Sequence, residues 1–357
     1  MVRMRSWVQI PVVAPKLYTE RQGYGMAKEL SEAGILRELE PEMERLLNQH
    51  ENISKPWVPD EYIPWSRGQD FARLGGKDWD ESQSPFSPEV QSALIVGALT
   101  EDNLPSYHRE IYTGFGGDGP WGAWVNRWTV EEDRHGRAIH NLLTVSRAVD
   151  PISLEQDRMA HVGIGFSSDK ISDHLDDEGR RKRKTSLEVL PYVAFQELAT
   201  VVAHKNTGEH CKTEGDLIAW NLFQEIKKDE TRHWIVYRDL VKAAFNLNPN
   251  HMMKAVTKEV MEFKMPGAIT IPKFGRHAIN IAVAGIYDLT KQNENVFVPN
   301  LDKHWNVWNR NDLTDEGEKA RDSLDTTLVR LRKDAGNFDE FLQVERERRA
   351  KEAERQQ

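Results

Sequence analysis

Apolar side chains recur at steps of three and four along four long stretches of this chain, about 88–108, 120–147, 187–212 and 214–246. Each is long enough for a helix in the core of a bundle. Alternating strand patterns are scarce, so an all-α fold is predicted. Ahead of these stretches, 26–50 is rich in helix formers, with Pro41 expected to kink it or split it in two. Residues 54–88 carry five prolines and hold Trp57, Trp65 and Trp79 in what reads as a loop. Past Asn248, 251–266 reads as a helix ended by Pro266 and Gly267, and 275–292 as one more. Residues 166–186, polar almost throughout, predict a solvated insertion. Residues 314–357 predict two charged helical segments, the last a solvated face with frayed final turns.

Polar residues interrupt the four stripes where a core helix should be apolar. The second stripe runs Trp121, Trp124, Trp128, then Glu132 and His135, then Ile139 and Leu142. The fourth runs Leu217, Trp220, Phe223, Ile226, then Glu230 and His233, then Tyr237, Leu240 and Ala244. Both carboxylates and both imidazoles therefore point inward. These are the only two ExxH pairs in the chain, and each sits in the same longer string, EEDRH and DETRH. A buried Glu without a partner costs several kcal/mol, so the other two stripes should hold companions. The first, Val90 and Leu94 onward, leads to Glu101; the third, Leu190 and Val193 onward, leads to Glu197, with Thr200, Val201 and His204 behind it. Glu132 follows Glu101 by 31 residues and Glu230 follows Glu197 by 33, the spacing of a repeated helical hairpin.

Glu, GluxxHis, Glu, GluxxHis from four helices is the ligand set of ferritin-like di-iron and di-manganese bundles. Two divalent ions bring four positive charges that four carboxylates cancel, and two imidazoles leave positions open for oxygen. The expected metal ligands are thus Glu101, Glu132, His135, Glu197, Glu230 and His233. The predicted fold is a four-helix bundle of this kind carrying a di-iron site, with additional packed helices. The expected organisation is one such unit over 1–357: an extended arm over 1–25, the metal-binding bundle over 88–246 and a charged helical tail over 315–357.

Composition narrows the chemistry further. The single cysteine, Cys211, excludes an intramolecular disulfide and a cysteine-based metal site, so any metal must use His and carboxylates. A net charge of -9 disfavours a general nucleic-acid binder. Mean hydropathy of -0.66 and the lack of any apolar run near the roughly 20 residues of a bilayer helix exclude a membrane span. The N-terminal MVRMRSWVQIPVVAPKL is broken by Pro11 and Pro15 and reads as an arm on a cytoplasmic protein.

Four segments carry a family likeness: LTEDNLPSYH (99–108), WTVEEDRHG (128–136), FQELATVVAHKNT (195–207) and DETRH (229–233). They resemble the soluble acyl-carrier-protein desaturases, the stearoyl type of plant plastids and actinobacteria. The resemblance runs from about Ile35 to Leu247, and beyond 260 the chain is similar to the actinobacterial branch. It implies a cytosolic homodimer whose subunits each hold two irons. Such a protein takes electrons from ferredoxin, reduces O2 and removes two hydrogens from an acyl chain on acyl carrier protein to leave a cis double bond. By the same resemblance Thr200 stands beside the oxygen-binding face, to donate a hydrogen bond or relay a proton. Asp229 holds a metal-bound histidine by its free ring nitrogen. Trp57, in SKPWVPDEYIP, begins an electron route through Asp229. By repeat symmetry Glu131 is expected to do for one histidine what Asp229 does for the other.

The His135-to-Glu197 interval exceeds that of the plant members, and the excess falls in 166–186, where it bears on substrate specificity. Within it the basic run Arg180 to Lys184 reads either as a docking patch for an acidic carrier or as a solvated loop neutralised by Asp173, Asp176, Asp177 and Glu178. His204 and His210 read as surface or satisfied core residues. Iron storage and a catalytically silent partner of acyl carrier protein are the competing functions. The chain is long for storage, and the complete ligand set speaks against silence. The HxxxH and HxxHH clusters of membrane desaturases are absent.

Overall fold

A computed structural model describes residues 30–164, 184–265, 267–268 and 270–356. The predicted arm over 1–25 and most of the 166–186 insertion, Arg180 to Arg183 included, lie outside the described residues. No strand occurs among the described residues. The helices are α1 (Glu32–Ile53), α2 (Pro88–Asp102), α3 (Leu104–Phe115), α4 (Gly119–Val145), α5 (Pro151–Ile164), α6 (Ser186–Thr213), α7 (Leu217–Leu247), α8 (Pro249–Glu262), α9 (Phe274–Val283), α10 (Leu289–Lys291) and α11 (Asp315–Gln356). Two π-helical runs, Gln292–Phe297 and Pro299–His304, continue α10.

Local chemistry sets these boundaries. Ser31 caps α1 by accepting from the Gly34 amide at 3.2 Å. Thr185 and Glu188 form a capping box on α6, and Asp216 accepts from the Ile218 and Ala219 amides, each at 2.9 Å, to start α7. Gly208 lets α6 and α7 approach: a Cβ there would lie 2.9 Å from that of Phe223.

α2, α4, α6 and α7 form the bundle, with α6 along α7, α2 against α4, and α1 across α4 and α7. Its interior is two apolar layers. One gathers Trp121, Trp124 and Trp128 of α4, the first half of α6, and Val236 to Phe245 of α7. The other gathers Leu94 to Leu99 of α2, Ala138 to Leu143 of α4 and Ala219 to Ile226 of α7. α4 and α7 cross between the layers in opposite directions. Glu131, Glu132 and His135 on one, and Asp229, Glu230 and His233 on the other, occupy that waist, all buried.

Several expectations are corrected. The 88–108 stretch is two helices, because Pro105 lacks the amide that would continue α2 and its ring clashes with the preceding turn. α1 runs through Pro41 without a break. The predicted 275–292 helix splits after α9 at Gly285, whose φ of 73° suits only glycine. Leu217 is exposed and Trp220 only half-buried, so the fourth stripe begins inside α7. α5 and the π-helical runs were not anticipated. Residues 315–356 form one helix rather than two segments, and it is not simply solvated: Leu324, Leu328, Ala335 and Leu342 are buried, and Arg349 reaches Glu89 of α2 at 2.5 Å. Of the basic run only Lys184 lies among the described residues, and it is tied to the fold. Its ammonium lies 2.6 and 2.5 Å from the two carboxylate oxygens of the buried Glu259 on α8.

Candidate metal centre

Each of the four bundle helices delivers side chains to the waist. Ligand atoms of Glu101, Glu132, His135 and Glu230 lie within 4.8 Å of one another, as do those of Glu132, Glu197, Glu230 and His233. The two groups share Glu132 and Glu230. His135 Nδ1 is 3.2 Å from Glu230 Oε1, 3.6 Å from Glu132 Oε2 and 3.9 Å from Glu101 Oε2. His233 Nδ1 is 2.7 Å from Glu132 Oε1 and 3.6 Å from Glu197 Oε2. Glu132 therefore turns one oxygen to each histidine, as a carboxylate bridging two cations does. Gly136 keeps α4 close to α2 at this level: a Cβ would meet Glu101 Cβ at 3.5 Å and Asp102 Oδ1 at 3.3 Å.

The far ring nitrogens face outward to acids. His135 Nε2 is 3.2 Å from Asp229 Oδ2, and His233 Nε2 is 2.9 Å from Glu131 Oε2. Each acid thus serves the histidine of the other repeat. Asp229 also accepts from Trp57 Nε1 at 2.6 Å and Arg134 at 3.0 Å, and it pairs with Arg232. Glu131 accepts from His50 at 2.9 Å and Ser54 at 3.2 Å, with Arg127 2.7 Å away. Thr200 Oγ1 lies 2.6 Å from Glu230 Oε2 and 2.8 Å from the Glu197 carbonyl. Trp128 Nε1 donates to Glu197 at 2.9 Å, and His204 Nε2 lies 3.0 Å from Glu101 Oε1. His204 is thus a buried partner of the cluster. His210 is half-buried and outside it.

Burial and crowding distribute the protons. Burial pushes Glu101 up to about 7 against the hydrogen bond from His204, with Glu132 and Glu230 adding to the rise. Glu197 rises well above the carboxylate range through burial and then Glu132. For Glu230 burial works the other way but is outweighed by His135, which holds it well below. Glu131 and Asp229 are likewise held low: burial opposes ionisation, and the hydrogen bonds from His233 and His50, and from His135, overcome it. Both cluster histidines are raised well above the imidazole range, by Glu132 and Asp229 for His135 and by Glu131 and Glu132 for His233, despite burial.

Four buried ligand atoms at the waist have no partner outside the cluster: His135 Nδ1 and His233 Nδ1 face only the acids of the cluster, Glu230 Oε1 and Glu132 Oε1 the nearest. His135 Nε2, His233 Nε2 and Glu230 Oε2, by contrast, are hydrogen-bonded to Asp229, Glu131 and Thr200. Ligand atoms that converge from four helices and meet only one another, with protons where cations would sit, are the pattern a pair of metal ions would complete, so the residues fit two metal ions. A cavity of about 680 Å³ between α2, α3, α4 and α5 has Glu101, Leu104, Pro105 and Gly136 in its wall and gives access on that side.

His50, His204, Arg127 and Trp128 were not anticipated as parts of the site. A signal existed for the first: the buried stripe of α1, Ile35, Leu39, Met43 and Leu46, ends one step later on His50.

The sequence profile of the fatty acid desaturase family matches residues 31–355. Over 91% of its length the chain is 43% identical to a Mycobacterium tuberculosis protein named "putative acyl-acyl-carrier-protein desaturase DesA1", covering 94% of that protein. It is 27% identical to the chloroplastic stearoyl-acyl-carrier-protein 9-desaturase 1 of Arabidopsis thaliana, over 81% of this chain and 73% of that one. The crystal structure of DesA2 from M. tuberculosis superimposes with a TM-score of 0.62 at 25% identity, covering 77% of this chain and 96% of that one.

Proposed function

The chain belongs to the fatty acid desaturase family, and on that premise we propose that it introduces a cis double bond into a saturated long acyl chain carried on acyl carrier protein. The reaction consumes O2, two electrons from ferredoxin and two protons, and it converts one CH2–CH2 unit into CH=CH with release of two waters. The observation that carries this reading is the pair of ligand groups sharing Glu132 and Glu230. Two irons per subunit, if bound there, would supply the O2-reducing chemistry needed to remove hydrogen from an unactivated chain.

The chain's own residues have separable tasks. Glu132 and Glu230 would serve both metals, Glu101 with His135 would hold one, and Glu197 with His233 the other. Asp229 and Glu131 keep a proton on Nε2 of His135 and His233, leaving Nδ1 free to bind. Thr200 holds its hydroxyl proton at Glu230 Oε2, next to where oxygen is reduced, and is placed to hand it on. Trp57, hydrogen-bonded to Asp229, opens a path for electrons toward His135. No helix among the described residues is long and apolar enough to cross a membrane. A cytoplasmic homodimer is the assembly proposed.

The test is to purify the protein from iron-replete cells, measure metal per chain, and assay stearoyl- and palmitoyl-carrier protein with ferredoxin, its reductase and O2. Less than one metal per chain, unchanged by Glu132→Ala, would sink the di-metal reading. Bound metal without unsaturated product from any acyl chain would favour the silent carrier-protein partner instead.

A further inference from the structure

We propose that His50, on a helix that supplies no ligand, is a positioning residue for one of the two metals, fixing the ring of His233 through Glu131. The proposal rests on the di-metal reading above. His50 ends the buried stripe of α1 and is itself buried, a position that packing alone would fill with Leu or Phe. Its Nε2 lies 2.9 Å from Glu131 Oε2, and His233 Nε2 lies 2.9 Å from that same oxygen. The two imidazole rings stack 5.9 Å apart at 23°. Trp124 stands edge-on to both, 5.1 Å from His50 and 6.1 Å from His233.

A carboxylate oxygen has two lone pairs. With one taken by His233 and the other by His50, Oε2 has no capacity left. Oε1 faces Arg127 at 2.7 Å and Ser54 at 3.2 Å. Glu131 therefore cannot turn, and His233 has one ring orientation, with Nδ1 toward Glu132 and Glu197. Remove His50 and Oε2 regains an empty lone pair in a buried site, so the carboxylate is free to swing and His233 with it. His50, Glu131 and His233 also lie close enough together to hold a cation themselves. That alternative fails because both Glu131 oxygens are already engaged and the His233 ring already turns Nδ1 to the cluster.

The experiment loads full-length wild type, His50→Phe and His50→Gln with ferrous iron under anaerobic conditions. It follows stepwise metal affinity, the Mössbauer components of the two sites and thermal melting. The Phe variant should keep one metal at wild-type affinity and bind the other about 10- to 100-fold more weakly. The Gln variant, which retains an N–H donor near Nε2, should recover most of that loss while melting like the Phe variant. Asp229→Asn should weaken the opposite Mössbauer component. If the Phe variant does not fold, His50→Asn, whose amide is too short to reach Glu131, takes its place with the same readings. Wild-type affinity for both metals in the Phe variant would overturn the proposal, as would failure of Gln to recover any of the loss. A wild-type chain that itself holds fewer than two metals overturns the di-metal reading together with this one.

Discussion

EEDRH on α4 and DETRH on α7 are nearly the same string, yet the two halves of the site they build are held differently. In the His135 half the outer acid is Asp229, shared with the indole of Trp57 and the guanidinium groups of Arg134 and Arg232. In the His233 half it is Glu131, shared with a second buried imidazole, with Arg127 at 2.7 Å and, at 3.8 Å, with the same Arg134. Trp57 comes from the turn-rich segment before α2, at the edge of the bundle, whereas His50 comes from a regular helix laid across it. The repeat thus specifies the inner ring of ligands, and the surrounding elements differentiate it. One half is joined to a group suited to carrying charge inward, the other to a group suited only to holding still.

The sharpest way to break this comparison acts on what the halves have in common. Glu132→Ala and Glu230→Ala each remove a carboxylate that both groups use, so metal content should fall from about two per chain to near none, and desaturation with it. Glu101→Ala and Glu197→Ala each touch one group and should leave about one metal. Elemental analysis of the four purified variants decides it, and equal losses from all four would mean that the halves are not separate positions.

What could be read beforehand follows the range of the physics involved. Helical periodicity is local, so the inward direction of Glu101, Glu132, His135, Glu197, Glu230 and His233 was legible, and the structure brings all six together. The crossing of each outer acid to the other repeat's histidine depends on how α4 and α7 pack, which no local pattern encodes. His50 was legible in principle, since its stripe is regular, but a lone histidine says nothing until Glu131 is opposite it. α11 was misread because its buried positions, Leu324, Leu328, Ala335 and Leu342, are sparse among charges and matter only once α8 and α9 are in place. The break at Asn103 was readable from Pro105 and was overlooked.

pH is the axis along which the two halves should agree. Glu101, at about 7, and Glu197 bind protons more tightly folded than at the ordinary 4.5 of an unfolded glutamate. The cluster histidines likewise bind more tightly than at the ordinary 6.5. The metal-free folded state therefore holds more protons than the unfolded one, and stability must fall as pH rises through these values. Glu131 and Asp229 are shifted the other way, so their contribution is complete above their unfolded values and lost only in acid. Glu230 is held low like the outer acids, so between pH 6 and 8 the carboxyls that lose their protons are Glu101 of the cluster and the buried Glu259 of α8, also pushed up to about 7 by burial. Chelator-treated protein should melt lower at pH 8 than at pH 6, metal should shrink the difference to what Glu259 contributes, and metal uptake at pH 6 should release protons into weak buffer. A melting temperature that rises with pH in the stripped protein would reverse the assignment of protons to the inner ring.

The smallest effects should separate the outer supports. Trp57→Phe deletes a donor 2.6 Å from a buried ionised acid, and a hydrogen bond to a charged group is worth about 1.5–3 kcal/mol. Ser54→Ala deletes a half-buried hydroxyl at 3.2 Å from Glu131, also ionised, and the greater length and exposure of this bond put the loss at the low end of that range, about 1.5 kcal/mol. If the Trp57 half carries electrons, the Phe variant should retain both metals but be reduced by ferredoxin roughly tenfold more slowly, a factor equivalent to about 1.4 kcal/mol. The Ala variant should change neither the reduction rate nor the first metal's affinity, and it should weaken the second by no more than about fivefold, since His50 and Arg127 still hold Glu131. Stopped-flow reduction of both variants gives the answer. Similar slowing by each would show that the outer shells are interchangeable supports, and the asymmetry between an indole and an imidazole would then be packing alone.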